Sequence, residues 1–564
     1  MFYFFQRRSM AKKLKTKKYV FVVGGVMSSV GKGVTSASIS KILQARGFKT
    51  TNVKCDMYVN LDAGTIRPIE HGEVFVGEDG IEADQDLGNY ERFTGNTMTA
   101  LNYLTTGQVY NEVIRRERNL EYDGEDVEVV PDIPNEIIRR IKLAARTNDA
   151  EVTVVEFGGT VGEYQLLLFL EAARMMKFQN PDDVAFVLVS YLPIPPHIGE
   201  MKTKPTQYAS RSLNEAGIQA DFIVARGSAE LDKRRRERLA TFCNVPTENA
   251  ISAPNVETIY EVPLVLEQGE LGNKLLKKLG LKSRRNTLGD WEKFVKHIKS
   301  VKKEVKIAVV GKYFGTGSYT LSDSYISVIE SIKHACWFNN VKPVLSWVNS
   351  EEYEKDPAKV KELSGFDGVL VPGGFGERGV EGILKAIGYA REKKIPYLGL
   401  CYGLQLACVE FARNVLGKKQ ANTTEIDPKT PDPIIFANPL QSKNIQEKKY
   451  GATMRLGSYD CVLKKGSKVH KAYGEELITE RHRHRYEFNN AYLEEMDNAG
   501  LKVVGLNPET ELVEMVELEN HPFFVGTQAH PEFKSRPETP HPLFREFIKA
   551  AVKGIKPVVK KNRY

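Results

Sequence analysis

The sequence has few cysteines, no long apolar run and no internal repeat. It has six cysteines in 564 residues, and no two of them form a C-x-x-C pair. A disulfide framework and a structural zinc site are therefore not expected, and a reducing compartment, the cytoplasm, fits the composition. Because no apolar run approaches the length of a transmembrane helix, we expect no membrane span and no membrane partner.

The ends of the chain hold part of its net charge of +8. Residues 12–18 and 553–563 are rich in lysine and arginine. We interpret these ends as solvated tails and expect no nucleic-acid partner, because anionic substrates explain the internal lysines equally well. Within residues 1–10 the apolar side chains precede the charged ones, which is the reverse of a secretory signal. Translation from Met1 and translation from Met10 both fit this pattern.

Alternating strand-like and helix-like patterns predict two α/β domains. The apolar content of 41% and the charged content of 27% are ordinary for a globular protein. Runs that are apolar on both faces suit parallel strands covered by helices, and they lie at 19–23, 152–155, 184–189, 222–225, 307–311 and 368–371. The predicted domains are 1–18, a basic extension; 19–283, the first α/β domain; 284–304, a linker; 305–553, the second α/β domain; and 554–564, a basic tail.

A cysteine in the second domain has the setting of a nucleophile. Cys401 follows the apolar run 395–400 and precedes a helix-like stretch that starts at Leu404. Its flanking glycines allow the sharp strand-to-helix turn that places a sulfur at a helix N-terminus. A cysteine after a strand is more often a small core residue, so this segment alone decides little.

Two further segments complete a site that splits amides. His530 is expected to take the thiol proton, and Glu532 to orient His530. Gly373 and Gly374 offer backbone N–H groups to a developing oxyanion. With Cys401 between them in chain order, the three segments resemble the class I glutamine amidotransferase domain over residues 305–553. That resemblance implies glutamine hydrolysis through a thioester, with release of ammonia.

A glycine-rich loop with one lysine follows the first predicted strand. Residues 24–33 precede the helix-like stretch 34–46. Backbone N–H groups in such a loop point at an anion, and Lys32 neutralises phosphate charge. The loop differs from the common phosphate loop in two ways: five residues separate Gly25 from Gly31, and Gly33 stands where Ser or Thr would bind magnesium. The alternative is a glycine-rich turn with an exposed lysine, which the strand-loop-helix placement disfavours.

Magnesium would then need carboxylates from elsewhere. Asp86 lies in the acidic segment 82–88, which is predicted to be a loop. Glu156 follows the strand 152–155, at the sheet edge where parallel sheets bind ligands. The segment 202–207 adds two lysines in a predicted extended turn that suits a triphosphate, although a surface loop is its ordinary interpretation.

Many further stretches resemble the CTP synthase family, from about residue 19 to residue 551. They are the glycine-rich loop and the segments 54–58, 71–76, 90–93, 202–207, 242–246, 451–457 and 481–487. The resemblance implies a Rossmann-like P-loop (dethiobiotin-synthetase-like) parallel-sheet domain, followed by the amidotransferase domain.

The resemblance also implies a reaction. Members of the family use ATP to phosphorylate the 4-oxygen of UTP and then displace that phosphate with ammonia from L-glutamine. It implies Mg²⁺, CTP as product and feedback inhibitor, GTP as allosteric activator through a lid at 375–382, a homotetramer (dimer of dimers) and filaments. His71 and Val74 would line the passage for ammonia.

The family pattern assigns roles to individual residues. The catalytic residues would be Cys401, His530 and Glu532, and the magnesium ligands Asp86 and Glu156. The ATP contacts would be Ser29, Val30, Gly31, Lys32, Gly33, Val34, Lys54 and Asp86. The UTP or CTP contacts would be Ser28, Glu163, Tyr164, Gln165, Lys202, Thr203, Lys204, Pro205, Thr206, Gln207 and Arg238. The glutamine contacts would be Gly374, Tyr402, Gly403, Leu404, Gln405, Glu425 and Arg485.

Some positions depart from the family pattern. The chain has Glu163, Tyr164 and Gln165 where the family has Asp-Ile-Glu, Arg238 replaces a lysine, and Glu377 replaces a tyrosine in the lid. The segment 312–324 is longer than usual.

Two alternatives stay open at this point. One is a ligase that aminates another carbonyl, and the other is a non-catalytic filament scaffold. The presence of Lys32, Asp86, Glu156, Cys401 and His530 argues against the scaffold, because a scaffold needs neither site.

Overall fold

The structure is a computed structural model that describes residues 17–68, 72–285, 287–312, 315–316, 319–320, 322–438, 441, 444, 447 and 451–554. The described residues form two compact units. The first unit lies within Met1–Val59 and Leu101–Gly289, and the second within Asn60–Ala100 and Asp290–Tyr564. None of the described helices is both long enough and apolar enough to cross a membrane.

The strands are β1 (Lys18–Gly25), β2 (Thr50–Asp56), β3 (Val74–Val76), β4 (Glu82–Asp84), β5 (Tyr103–Thr105), β6 (Val152–Phe157), β7 (Val184–Tyr191), β8 (Phe222–Gly227), β9 (Ala250–Pro254), β10 (Glu304–Gly311), β11 (Gly315–Thr316), β12 (Tyr319–Thr320), β13 (Lys342–Asn349), β14 (Gly368–Val371), β15 (Tyr397–Leu400), β16 (Asn422–Thr423), β17 (Pro433–Ala437), β18 (Arg455–Leu463), β19 (Leu477–His484), β20 (Tyr486–Phe488), β21 (Leu501–Leu506), β22 (Val513–Leu518) and β23 (Phe524–Thr527).

The helices are α1 (Lys32–Ala45), α2 (Asp86–Thr94), α3 (Thr106–Arg118), α4 (Val129–Thr147), α5 (Leu167–Gln179), α6 (Lys204–Glu215), α7 (Lys233–Cys243), α8 (Val262–Gln268), α9 (Leu271–Lys278), α10 (Leu288–Ser300), α11 (Ile326–Phe338), α12 (Ser350–Lys355), α13 (Val380–Lys393), α14 (Tyr402–Asn414), α15 (Lys468–Tyr473), α16 (Leu493–Asn498) and α17 (Pro542–Gly554).

In the first unit, seven strands of the described chain form one parallel sheet in the order β5-β2-β6-β1-β7-β8-β9. Successive side chains of a strand point to opposite faces. Phe21 of β1 therefore packs in one apolar core, while Val20 and Val22 pack in another. The central position of β1 puts the glycine-rich loop, which follows it, at the carboxyl edge of the sheet.

In the second unit, nine strands of the described chain form one mixed sheet in the order β13-β10-β14-β15-β23-β22-β21-β18-β19. The strands from β13 to β23 pair in parallel. Because β14, β15 and β23 are neighbours and run the same way, the residues after their carboxyl ends meet at one edge. Gly373, Cys401 and His530 are such residues.

The predicted α/β class and the six predicted strands are confirmed. Two local predictions are wrong. The segment 82–88 is not a loop: Glu82–Asp84 is β4, paired with β3, and Asp86 begins α2. The segment 202–207 is not an extended turn, because α6 begins at Lys204 with Pro205 in its first turn. Proline is well suited to the first turn of a helix, where its missing N–H has no partner.

The compact units differ from the linear division predicted at 284–304. Residues 60–100 pack with the second unit, although they precede the linker by almost two hundred residues. The boundaries 19–283 and 305–553 stay a prediction about sequence domains.

Candidate active site

The backbone at Cys401 forms a sharp turn between β15 and α14. Cys401 has φ 48° and ψ −97°, and its N–H donates to the carbonyl oxygen of Thr527 at 2.7 Å. A Cβ on Gly399 would lie 2.6 Å from the Tyr397 hydroxyl, and a Cβ on Gly403 would lie 2.4 Å from the carbonyl oxygen of Val371. The two glycines are therefore required by close approach, and the sharp turn that they flank is the one predicted from the sequence.

The thiol of Cys401 is buried, with an amide group and a carbonyl group close to it. Gln528 Nε2 donates to Sγ at 3.6 Å, and Sγ lies 4.0 Å from the carbonyl oxygen of Arg483. Hydrogen bonds to a charged group stabilise it more than those to a neutral one. The amide of Gln528 can therefore support a thiolate at this position.

The imidazole of His530 is held by the carboxylate of Glu532. Nδ1 of His530 lies 2.7 Å from Oε1 of Glu532, while Nε2 has no hydrogen-bond partner in the described part of the chain. Burial opposes charge on the ring, yet Glu532 and Cys401 together raise the pKa of His530 to about 10. A Cβ on Gly373 would lie 2.7 Å from Cε1 of His530, so the glycine segment lies against the ring. The structure thus brings the three predicted segments together.

The glycine-rich loop of the first unit leads into α1 as predicted. Gly31 has φ 92°, a left-handed conformation that favours glycine, and the helix begins at Lys32. Nζ of Lys32 donates to the carbonyl oxygen of Gly159 at 2.8 Å. Ser28 and Ser29 are exposed, whereas Val30 and Gly33 are buried.

Three buried charges lie at the carboxyl edge of the same sheet. Nζ of Lys54 lies 3.0 Å from Glu156 Oε1 and 3.9 Å from Asp56 Oδ1. Glu156 lies inside β6, which ends at Phe157, and Lys54 offsets the cost of burying it.

The predicted magnesium ligands lie in different units, Asp86 in the second and Glu156 in the first, so their shared site stays a prediction. Among the described residues, no group of three or more His, Cys, Asp and Glu side chains is placed to hold a metal ion. Magnesium commonly takes only one or two protein carboxylates and completes its shell with phosphates and water. Glu156, buried at the sheet edge, fits that role.

Each half of the chain matches a known protein family. A model described as CTP synthase N-terminus matches residues 18–281, and one described as glutamine amidotransferase class-I matches residues 320–550. The CTP synthase of Symbiobacterium thermophilum is 49% identical over 540 residues, which cover 95% of this chain and 98% of that protein. The CTP synthase of Pyrococcus furiosus is 50% identical over 536 residues, with coverage of 95% and 98%.

The chain belongs to the CTP synthase family. The family resemblance and the two domain types predicted from the sequence are therefore confirmed. Among solved structures, the Trypanosoma brucei CTPS glutaminase domain with bound acivicin is similar to 45% of this chain and 95% of that chain, at 37% identity and a TM-score of 0.41.

Several residues that the family pattern assigns to glutamine surround Gly376. The carbonyl oxygen of Gly376 accepts hydrogen bonds from Tyr402 at 2.7 Å and from Lys312 at 2.6 Å, and its N–H donates to Glu425 at 2.8 Å. Burial lowers the pKa of Lys312 to about 8 although Glu425 opposes the shift, and burial raises the pKa of Glu425. A Cβ on Gly374 would lie 3.5 Å from the Tyr402 ring.

The other residues that are predicted to contact the substrate glutamine have different surroundings. Gln405 Nε2 donates to the carbonyl oxygen of Tyr486 at 3.0 Å and to Gln528 Oε1 at 3.3 Å. Arg485 donates to the side chains of Gln441 and Thr453, each at 2.9 Å. Gly403 and Leu404 are buried, so backbone groups are what they can offer. The roles of all these residues stay predictions.

The segment 163–165, which departs from the family pattern in the predicted pyrimidine nucleotide site, forms hydrogen bonds within itself and with a nearby residue. The carboxylate of Glu163 accepts from the N–H of Thr160 at 2.9 Å and from Gln165 Nε2 at 2.9 Å. Tyr164 is 92% exposed. The Arg238 guanidinium lies 5.6 Å from the centre of the Phe242 ring.

In the segment 202–207, some side chains form hydrogen bonds or ion pairs with other residues of the chain. Thr206 accepts from Ser190 at 2.8 Å, and Gln207 donates to Thr203 at 3.0 Å. Lys202 lies 2.7 Å from Glu200. These contacts hold the start of α6, and nucleotide binding here stays a prediction.

Some predictions fall wholly or partly outside the described residues. His71 lies outside them, as do residues 313–314, 317–318 and 321 of the segment noted as longer than usual. Val74 lies in β3 and is buried. The lid predicted at 375–382 is only partly a loop, because α13 begins at Val380.

Sequence reasoning missed Gln528 and Lys312. Both are polar residues at the carboxyl end of a buried strand, since Gln528 follows β23 and Lys312 follows β10. That position is the signal that could have identified them, because ligands of parallel sheets bind at this edge.

Proposed function

We propose that the chain catalyses the ATP-dependent amination of UTP to CTP with ammonia released from L-glutamine. The observation that supports this most is the Cys401 turn with the His530–Glu532 pair beside it, in a chain whose first unit has a lysine phosphate loop. Membership of the CTP synthase family agrees with the proposal.

In the glutaminase half, the thiolate of Cys401 attacks the amide carbon of glutamine. The His530 imidazolium donates its proton to the leaving nitrogen, the C–N bond breaks, and ammonia departs from a thioester. His530 then takes a proton from water, whose oxygen attacks the thioester, and glutamate leaves with the thiolate restored. Glu532 fixes the tautomer of His530 throughout. The N–H groups of Gly373 and Gly374 face the developing oxyanion.

In the synthetase half, ammonia from Cys401 attacks a UTP that is phosphorylated at its 4-oxygen. Phosphorylation turns a poor leaving oxygen into a good one. Lys32 and the N–H groups of residues 29–34 hold the ATP phosphates, and Lys54 lies near the transferred phosphoryl group. Glu156 would hold Mg²⁺, which neutralises phosphate charge when bound.

The finer features follow the family pattern. Ser28, Arg238 and the segments 163–165 and 202–207 hold UTP, or CTP as feedback inhibitor. GTP activates glutamine hydrolysis through the segment 375–382. The protein acts in the cytoplasm as a homotetramer and assembles into filaments.

The experiment that tests the proposal measures conversion of UTP to CTP with ATP and either glutamine or ammonium. We expect the wild type to use both sources. Cys401→Ala should lose glutamine-driven synthesis and keep ammonia-driven synthesis, whereas Lys32→Ala should lose both. Lys49→Ala, which removes an exposed lysine paired with Asp149, is the matched control. If the wild type makes no CTP from either source, the proposal is wrong.

A further inference from the structure

One strand of the second unit contacts the backbone of His530 and the side chain of Cys401. The carbonyl oxygen of Arg481 in β19 accepts from the backbone N–H of His530 at 2.7 Å. The carbonyl oxygen of Arg483 in the same strand lies 4.0 Å from the sulfur of Cys401. A shift of β19 would therefore move the backbone of His530 relative to the thiol of Cys401.

The segment 72–98 anchors β19 through buried ion pairs. The Arg481 side chain is 0% exposed, and it binds Glu78 at 2.9 Å, Glu91 at 3.1 Å and the carbonyl oxygen of Val76 at 3.0 Å. Arg483 binds Glu82 of β4 at 2.8 Å. These anchors come from residues matched by the N-terminal family model, while β19 lies in the amidotransferase match.

Glu91 also binds the far end of the loop 528–536, which contains the catalytic imidazole. Its carboxylate pairs with Arg536 as well as with Arg481, and it accepts from the N–H of Met98 at 2.8 Å. Arg536 in turn donates to the carbonyl oxygens of Phe533 at 2.9 Å and Ser535 at 3.1 Å. One carboxylate thus joins the strand on one side of His530 to the loop on the other.

Aromatic packing makes the same connection. The Phe533 ring stacks on the His530 ring with centres 5.4 Å apart, and Phe75 of β3 meets Phe533 edge-on at 5.1 Å. The guanidinium of Arg481 lies 5.4 Å from the centre of the Phe75 ring.

The charges of this cluster balance. Arg481 and Arg536 carry two positive charges, and Glu78 and Glu91 carry two negative ones. Arg92 and Glu73 lie nearby and meet at the hydroxyl of Ser327. Removing the charge of Glu91 leaves Arg481 with Glu78 alone and takes from Arg536 its ion-pair partner, and both guanidinium groups are then less stable in their present positions.

We propose that Glu91 is a positioning residue for glutamine hydrolysis, because it holds the two arginines that fix His530 against Cys401. The inference rests on the proposed function of the Cys401 site. It assigns a role in glutamine chemistry to a residue of the half that matches the synthetase domain.

The test compares two substitutions that separate charge from size. Glu91→Gln keeps the size and removes the charge, whereas Glu91→Asp keeps the charge. We expect kcat for glutamine hydrolysis to fall at least tenfold in Glu91→Gln and less in Glu91→Asp, with KM for glutamine within threefold of wild type. Iodoacetamide should alkylate Cys401 more slowly in Glu91→Gln, because the thiolate and the imidazolium are no longer held together.

Glu136→Gln is the matched control. Glu136 is a buried carboxylate of the first unit that binds Arg139 at 2.6 Å and Arg140 at 2.8 Å. Its substitution should leave kcat and the alkylation rate unchanged. If Glu91→Gln does not fold, Arg536→Lys tests the same pair, since lysine keeps the charge and loses the forked donors.

Two results would overturn the inference. One is a Glu91→Gln variant with kcat and alkylation within twofold of wild type, and the other is an equal loss in Glu136→Gln. A wild type that hydrolyses no glutamine would instead contradict the proposed function, and the alkylation rates would still test Glu91.

Discussion

Cys401 has a backbone conformation that residues other than glycine rarely adopt. Its φ of 48° and ψ of −97° cost on the order of 1–3 kcal/mol and persist only where the surroundings enforce them. The bond from its N–H to Thr527 and the close contacts at Gly399 and Gly403 supply that enforcement. The sulfur lies beside His530 at this turn, which is the placement that a nucleophile needs relative to its base.

A pH prediction follows from the raised pKa of His530. The pKa is about 10 in the folded protein, and 6.5 is its ordinary value. A raised pKa stabilises the fold fully below pH 6.5, and this stabilisation is lost as the pH rises toward 10. Glu532→Gln removes the carboxylate that raises the pKa of His530 most, and with it much of this stabilisation. We therefore expect the difference in unfolding free energy between wild type and Glu532→Gln to be largest near pH 6 and to shrink toward pH 10.

Chemical denaturation at a series of pH values measures this difference. Glu410→Gln is a suitable control, because Glu410 is a buried carboxylate of the same unit that pairs with Arg391 at 2.8 Å and not with a histidine. A wild-type advantage over Glu532→Gln that grows with pH would contradict the account.

At the residue scale, the sequence predicted the groups that do chemistry better than the groups that support them. Cys401, His530 and Glu532 stand in recognisable local patterns, and the structure brings them together. Glu91 and Arg481 stand in no such pattern. Their roles depend on a pairing across 390 positions, which no local spacing reveals.

At the scale of elements, the junction of β14, β15 and α14 decides the site. Gly403 in the first turn of α14 packs against the backbone of β14, where a Cβ would lie 2.4 Å from a carbonyl oxygen. Backbone atoms of a central strand cannot move aside as a flexible side chain can. The helix therefore approaches the sheet only because residue 403 has no side chain.

Gly403→Ala should displace α14 and weaken the fold. Overpacking of this kind costs about 1–3 kcal/mol, and glutamine hydrolysis should fall because Cys401 moves with the helix. Chemical denaturation and a glutaminase assay measure the two effects. Gly365→Ala is the control, since a Cβ there meets nothing within 4 Å. Equal stability of the two variants would show that α14 does not depend on this contact.

The prediction of helices and strands from the sequence was wrong where contacts with residues distant in the chain outweigh the local pattern. Buried parallel strands such as β1 and β7 were predictable because both of their faces are apolar. The acidic segment at 82–88 was predicted to be a loop, yet Glu82 is buried in β4, where it pairs with Arg483. The same segment continues into α2, which contains both the predicted magnesium ligand Asp86 and the positioning residue Glu91.

At the scale of the whole molecule, the two sequence domains and the two compact units do not coincide. Residues 60–100 lie within the N-terminal family match and pack with the second unit. The sequence patterns predict domains that are continuous stretches of chain. They therefore could not predict that residues 60–100 pack with the second unit. Family membership, in contrast, was predictable because many short motifs occur in the family's order.

We propose that nitrogen released at Cys401 becomes the amino group of a nucleotide made in the same molecule. The most direct measurement supplies glutamine with a heavy-isotope label on its amide nitrogen, together with UTP, ATP, magnesium and unlabelled ammonium. Mass spectrometry of the nucleotide product then reports the source of its nitrogen. We expect labelled CTP from the wild type and unlabelled CTP from Cys401→Ala. Unlabelled CTP from the wild type, or labelled CTP from Cys401→Ala, would contradict the proposal.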